Sequence, residues 1–99
     1  MTRLCTENVQ IKAYRHNQYS GYEVDFIAPK DGTTARQIAD QCRQEDGDYI
    51  LTARSSKRPI IINREGLPAD DDLVKPGMSG RLALIIHAGK CYLAGVRAA

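Results

Sequence analysis

Two short segments near the start of the chain alternate apolar and polar residues, and this alternation restricts the fold more than any other feature. In VQIKAYR, Val9, Ile11 and Ala13 fall on one side, and in YEVDFIA, Val24 and Phe26 do the same. A period of two residues is typical of a β-strand that buries one face. The polar linker HNQYSG between the segments predicts a turn. Together the two segments therefore predict a β-hairpin.

The segment DGTTARQIADQC, directly after this hairpin, predicts one helix. Thr34 and Gln37 have the spacing of a capping box, in which a hydroxyl and an amide satisfy main-chain N–H groups at a helix start. Four residues at helical spacing form a narrow apolar stripe: Ala35, Ile38, Ala39 and Cys42. Gly47 is the predicted end of the helix. Because a helix of about ten residues is marginally stable alone, the stripe is expected to pack on a sheet.

Three further strands are predicted from DYILTA, RPIIIN and RLALIIHA, with a turn-rich loop before the last of them. The order of elements is strand, strand, helix, strand, strand, loop, strand (ββαββ-loop-β). One helix lying on a mixed sheet of four or five strands is an α+β fold with two layers. Residues 9–88 are expected to form this single domain, residues 1–8 a tail and residues 89–99 a C-terminal extension.

The composition is that of a globular protein, and its charge pattern argues against several kinds of ligand. Of the 99 residues, 42% are hydrophobic and 26% are charged, and the formal net charge is +2. Lys and Arg are scattered, and the one local cluster, RSSKR, is expected to be a charged turn; the absence of a basic stripe argues against nucleic-acid binding. The cysteines, Cys5, Cys42 and Cys91, include no C-x-x-C pair, which argues against a zinc site. We expect no metal and no cofactor.

Nothing in the sequence indicates catalysis or membrane insertion. His16 lies in a predicted turn and His87 on a predicted strand, and neither stands at a recognisable spacing from a Ser or Cys nucleophile. No apolar run approaches the roughly 20 residues that cross a bilayer, and the first residues lack the apolar core of a signal peptide. The expectation is therefore a binding module rather than an enzyme, located in the cytoplasm.

The order of elements resembles that of the ubiquitin-like β-grasp superfamily over about residues 9–88. Within that superfamily, DGTTARQIADQC followed by GDYILTARSSKRPI resembles the Ras-association domains, as do VQIKAYR as the first strand and SGRLALII as the closing strand. The resemblance implies a module that binds a GTP-loaded small GTPase of the Ras or Rap type. It implies contact with a membrane only indirectly, through a lipidated partner.

The resemblance also implies where the GTPase would bind. In these domains the second strand lies at the edge of the sheet and pairs with a strand of the GTPase, an addition that uses unpaired main-chain N–H and C=O groups. Basic residues nearby meet the acidic switch segment of the GTPase. By position, the partner-binding residues implied here are Lys12, Arg15, Lys30, Arg36 and Arg43.

Two acidic residues depart from this pattern and leave an alternative open. Glu23 and Asp25 fall on the outward face of the second strand, where they would repel an acidic partner. The alternative is a ubiquitin-like scaffold, assembly subunit or carrier that binds no GTPase. A carrier is disfavoured, because the chain ends in GVRAA rather than in the Gly-Gly that such carriers share.

Overall fold

A computed structural model describes residues 2–17, 19, 21–38, 43–45 and 48–99, with the main chain alone for residues 43–45. Within these ranges, none of the helices has the length and apolar character needed to cross a membrane. In chain order the elements are β1 (Thr2–Cys5), β2 (Val9–Asn17), β3 (Gly21–Ala28), α1 (Thr33–Ile38), β4 (Arg43–Glu45), β5 (Asp48–Ser55), β6 (Ile60–Ile62), a single 3₁₀ turn (Asp71–Leu73), β7 (Ser79–His87) and β8 (Lys90–Ala98).

Five of the strands close into a barrel. β2 pairs with β3, β3 with β5, β5 with β8, and β8 with β7. β7 then pairs with β2 again, where Val9 lies opposite Gly80. These pairings are antiparallel except for that between β5 and β8, which is parallel and places Arg54 opposite Tyr92. A closed barrel of five strands is OB-like.

The other three strands extend the barrel wall. β1 pairs with β7 beyond the point where β2 leaves it, β4 pairs with β5, and β6 runs parallel to β8. The segments expected as a tail (residues 1–8) and as an extension (residues 89–99) each contain a strand, Thr2–Cys5 and Lys90–Ala98. Both strands belong to the same sheet, and β8 is one of the five that close the barrel.

Alternation along the strands fills the interior of the barrel. The side chains of Val9 and Ile11 on β2 and of Val24 and Phe26 on β3 are buried, on the side that the sequence predicts. The predicted hairpin is confirmed by the antiparallel pairing of β2 with β3. The predicted inward position of Ala13 is wrong, because a bulge after Ile11 reverses the alternation and places Ala13 opposite Asp25 on the outer face. The facing strands contribute Leu51, Ala53, Leu82, Leu84, Leu93 and Val96 to the same core. Side chains filling the lumen are typical of a barrel with few strands.

The predicted helix is present, but it is shorter than expected. α1 has six residues. Arg43–Glu45 form a strand paired with β5, so the helix does not extend across them as the sequence predicts. Ala35 and Ile38 of the predicted apolar stripe are buried in the core. The rest of that stripe, Ala39 and Cys42, and the predicted helix end lie outside the described residues.

A residue far away in sequence caps the start of α1. The carboxylate of Glu7 accepts hydrogen bonds from the hydroxyls of Thr33 and Thr34 at 3.0 and 2.6 Å, and from the Thr34 main-chain N–H at 3.2 Å. The predicted capping box is wrong, because α1 begins at Thr33 and Thr34 therefore lies inside the helix rather than at its cap. Burial opposes ionisation of Glu7, but the hydrogen bonds from Thr34 and Thr33 outweigh it and lower the pKa of the carboxyl. A negative charge at this end of a helix is also favoured by the helix dipole.

We expect Glu7→Gln to destabilise the fold at neutral pH by about 1 kcal/mol, the usual cost of losing an N-cap. The pKa of Glu7 is lower in the folded chain. Its carboxylate therefore stabilises the fold above the unfolded pKa, and this stabilisation is lost as the pH falls through the folded value. Urea unfolding of the wild type and the variant at pH 7 and pH 2.5 measures the effect, with Glu65→Gln in an exposed turn as the control. A stability difference of the same size at both pH values would contradict the prediction.

The predicted α+β β-grasp fold is wrong. The helix that the described residues form is too short to cover an open sheet, and the sheet instead buries its apolar faces by closing on itself. β3, expected at the edge of the sheet, pairs on both sides, with β2 and with β5. Its main-chain groups are therefore engaged within the barrel, and β3 offers no free edge to a strand of another protein.

Candidate functional site

Four side chains form a row across the outer face of the barrel. Arg15 of β2 lies opposite Glu23 of β3, and Glu23 lies opposite Arg54 of β5. Arg54 in turn lies opposite Tyr92 of β8. Residues next to them along the strands, such as Val24, are buried, so the alternation of side chains directs these four outward. The side chain of Arg54 is 73% exposed and Tyr92 is 40% exposed. We call these four residues the outer row.

Two carboxylates hold the arginines of the outer row. Glu23 accepts a hydrogen bond from Arg54 Nε at 2.8 Å and lies 3.6 Å from Arg15 Nη2. Asp25 accepts two hydrogen bonds from Arg15, at 2.9 and 3.1 Å, and one from the hydroxyl of Thr52 at 2.6 Å. The hydrogen bonds to Asp25 raise the pKa of Arg15. Within this group the two positive charges balance the two negative ones. Arg54 contacts Glu23 through Nε, so the terminal nitrogens of its exposed guanidinium can bind an external anion, whereas Arg15 holds Asp25 through both terminal nitrogens.

A groove lies on each side of Arg54 and Tyr92. One has a volume of about 510 Å³ and runs between β5 and the β7–β8 turn, where Thr52 and Lys90 line it. The other has a volume of about 460 Å³ and lies at the end of β5, where Tyr22 of the neighbouring β3 lines it. Because both grooves are lined by Arg54 and Tyr92, they form one continuous track across β5 and β8, which we call the outer track.

The β7–β8 turn borders the outer track, since Gly89 and Lys90 line it, and the β2–β3 connection leads into Tyr22, which also lines it. The β2–β3 connection includes Tyr19, which is 89% exposed. The start of β3 lies against the end of β5, since a Cβ atom on Gly21 would stand 2.7 Å from the main-chain oxygen of Ser55. The β7–β8 turn consists of Ala88 and Gly89, with φ angles of 51° and 75°, and positive φ at both positions is what a two-residue hairpin turn requires. Tyr19 is an exposed aromatic ring three positions before Tyr22, which lines the track.

The groups along the outer track define what it can bind. The phenol ring of Tyr92 offers a flat surface, and the neighbouring guanidinium of Arg54 can pair with an anion or stack on a planar group. Lys90 adds an exposed ammonium group at the border of the track. A planar ring joined to a nearby anion is the chemistry of an unpaired nucleotide, whose base stacks while its phosphate meets a cation.

A second aromatic residue of the hairpin, Tyr14, has a structural role. Its hydroxyl donates a hydrogen bond to Asp71 at 2.7 Å, and its ring stacks on that of His16 with centroids 5.3 Å apart. Arg58 donates to the same Asp71 carboxylate at 3.3 Å. Burial and the hydrogen bond to Asp71 raise the pKa of Tyr14. These contacts fasten the 3₁₀ turn to the barrel wall.

The five basic residues predicted to bind a partner do not form one surface. Lys12 and Arg15 lie on β2, Lys30 follows the end of β3, and Arg36 is exposed on α1. Arg43 begins β4, and its side chain lies outside the described residues. Of the four with described side chains, Arg15 alone belongs to the outer row. A role of these residues in partner binding stays a prediction.

Sequence reasoning missed Arg54 and Tyr92. Arg54 opens the cluster RSSKR, which a charged turn explains equally well. Tyr92 lies in the segment expected as an extension, where a register irregularity leaves Ala94 between the paired Leu93 and Gly95. An irregularity of this kind interrupts the period of two that marks a strand. In the sequence, the remaining sign of a binding site was a tyrosine two residues after Lys90, and this is a weak indication.

Solved structures provide the comparison with known proteins, because neither a protein-family model nor a curated protein matches the sequence. The single-stranded DNA-binding protein from bacteriophage Enc34, truncated at its C-terminus, superposes with a TM-score of 0.75 at 15% identity, over 97% of this chain and 84% of that chain. A second structure of that phage protein gives 0.75 at 14% identity, over 97% and 79% of the two chains. Its complex with single-stranded DNA gives 0.70 at 14% identity, over 98% and 85%.

These similarities overturn the predicted family and partner. The prediction of a Ras-association domain that binds a GTP-loaded Ras or Rap protein, with its indirect membrane contact, is wrong, because the similar structures are OB-like barrels of single-stranded DNA-binding proteins. The alternative of a ubiquitin-like scaffold or carrier is not supported either, since it needs the β-grasp fold. The exclusion of nucleic acid is overturned as well, since one similar structure is a complex with single-stranded DNA. The chain has the OB-like fold of these phage proteins.

Proposed function

We propose that this protein binds single-stranded DNA along the outer track. The observation that carries the proposal is the pair formed by Arg54 and Tyr92, which the parallel register of β5 and β8 places side by side between two grooves. The fold supports the same location, because OB barrels bind oligonucleotides on the face of their second and third strands and on two bordering loops. Here those strands are β3 and β5, and the loops are the β2–β3 and β7–β8 turns.

Stacking supplies most of the expected affinity. Tyr92 on the track and Tyr19 in the β2–β3 connection are exposed aromatic side chains on which bases can stack. The positive charges of the face are partly compensated, since Glu23 and Asp25 are paired with Arg54 and Arg15. A phosphate can therefore bind the terminal nitrogens of Arg54 beside Glu23, whereas on Arg15 it competes with Asp25. The protein acts by binding alone, and the proposal assigns no catalytic residue.

Fluorescence anisotropy with a labelled 12-nucleotide dT strand tests the proposal. We expect saturable binding, with weaker binding to a duplex of the same length because paired bases cannot stack on tyrosine. If about three cations contact phosphates, log K falls with log salt with a slope of about −2. The absence of binding at 50 mM salt, or equal binding of the strand and the duplex, would remove the proposal.

Neutralising the carboxylate on Arg54 is expected to tighten binding. Glu23→Gln frees Arg54 from its ion pair at 2.8 Å and removes a negative charge from the path of the phosphates. Two unit charges 4 Å apart interact by about 1 kcal/mol in water, so the affinity should rise roughly fivefold. Glu65→Gln makes the same change of charge in an exposed turn and is the matched control. An equal gain in both variants would show a general charge effect and contradict the role given to Glu23.

A further inference from the structure

A second basic surface lies at the far end of the β7–β8 ladder from Tyr92. Arg81 of β7 and Arg97 of β8 are directly opposite each other, and both are exposed. Arg64, which follows β6, lines the same groove of about 350 Å³. Among the residues whose side chains are described, none forms an ion pair with any of these three arginines. Like charges directly opposite each other on a sheet are destabilising, so the cluster costs stability that an external anion would restore.

An apolar groove adjoins these arginines. It has a volume of about 400 Å³, and Arg81 and Arg97 form part of its lining. Ile60 and Ile62 of β6 line one part of it, and Ala94 of β8 lines another. Ile60 is 69% exposed, more than any other large aliphatic side chain of the described residues. Basic and apolar surfaces therefore meet within one concave site, which we call the arginine groove.

We propose that the arginine groove binds an acidic peptide segment of another protein, with carboxylates on the arginines and an aliphatic side chain in the apolar part. Charge complementarity selects the acidic partner, because guanidinium groups match carboxylates in bidentate geometry. The side chains that line the apolar part of the groove favour a peptide over a nucleic acid. The described residues that line it include no aromatic ring on which a base could stack, whereas an aliphatic side chain fits between Ile60 and Ala94.

The arginine groove is separate from the outer track. Arg97 lies five positions beyond Tyr92 on β8, which is roughly 17 Å at the rise of an extended strand. The two sites share no lining residue. A protein that holds single-stranded DNA on one surface can therefore hold an acidic segment of a second protein on the other. The proposal goes beyond DNA binding and does not depend on it.

Titration of the ¹⁵N-labelled chain with a ten-residue synthetic peptide, four glutamates followed by leucines and serines, tests the proposal by NMR. We expect shifts at Arg81, Arg97 and Ile60, and at least a tenfold loss of affinity in Arg97→Glu. Arg54→Glu is the matched control and should leave peptide binding unchanged. A peptide with lysines in place of the glutamates, and one with serines in place of the leucines, should each bind at least tenfold more weakly.

Three outcomes would overturn the proposal. One is the absence of shifts at the arginine groove at millimolar peptide. Another is equal weakening by Arg97→Glu and Arg54→Glu, which would indicate non-specific charge attraction. The third is saturation of the groove by the dT strand but not by the peptide, which would make it a nucleic-acid surface. Because the two arginines are exposed, Arg97→Glu should fold, and its thermal unfolding beside the wild type verifies this.

Discussion

Tyr92→Ala is expected to weaken the binding of single-stranded DNA by about 5- to 150-fold, the equivalent of the 1–3 kcal/mol that stacking of one base on an aromatic side chain provides. Tyr92 lines both halves of the outer track and is 40% exposed, so its ring is accessible to a base. Because only the phenol ring is removed, the loss should be nearly independent of salt. Anisotropy titrations of the dT strand at 50 and 200 mM salt measure it.

Two further variants separate stacking from other effects. Tyr92→Phe keeps the ring and should retain most of the affinity. Leu67→Ala removes an apolar side chain that is 59% exposed and lines neither groove of the track, so it should leave binding unchanged. Loss of binding in Tyr92→Phe to the extent seen in Tyr92→Ala would show that the hydroxyl matters rather than the ring. Unchanged binding in Tyr92→Ala would contradict the placement of the DNA-binding site on the outer track.

Phe26→Ala is expected to lower the free energy of unfolding by about 3–5 kcal/mol, as is usual when a large buried side chain leaves a cavity. Phe26 is the single phenylalanine of the chain and is fully buried in the barrel. Since domains are typically stable by about 5–15 kcal/mol, the variant should be close to unfolding. Urea denaturation followed by circular dichroism provides the measurement.

Tyr19→Ala is the control for this loss of stability. It also replaces an aromatic residue by alanine, but Tyr19 is 89% exposed, so its unfolding free energy should change by no more than about 0.5 kcal/mol. Comparable destabilisation in both variants would contradict the placement of Phe26 at the centre of the core. Preserved stability in Phe26→Ala would do the same.

The local alternation of apolar and polar residues was sufficient to predict much of the secondary structure and part of the core. Alternation in VQIKAYR and YEVDFIA predicts the β2–β3 hairpin and the burial of Ile11, Val24 and Phe26, all confirmed by the structure. These features depend on the period of side chains along one strand, which a strand carries in its own sequence. The helix was predicted at the correct place, but its capping partner was not. Glu7 and Thr34 are distant in sequence, and no local sequence pattern predicts the hydrogen bond between them.

The closure of the sheet was decided by tertiary structure. An alternating strand has the same pattern in an open sheet under a helix as in a closed barrel, since in both it buries one face. The choice lies in pairings between distant segments: β7 with β2, and β5 with β8. Those pairings turned β3 from a predicted edge into an interior strand, and they placed Arg54 beside Tyr92. The sequence by itself therefore determined the inward face of most strand residues, because a strand carries the period of two in its own sequence. The bulge that reverses this face after Ile11, the partners of each strand and the candidate site depended on long-range contacts that no local period encodes.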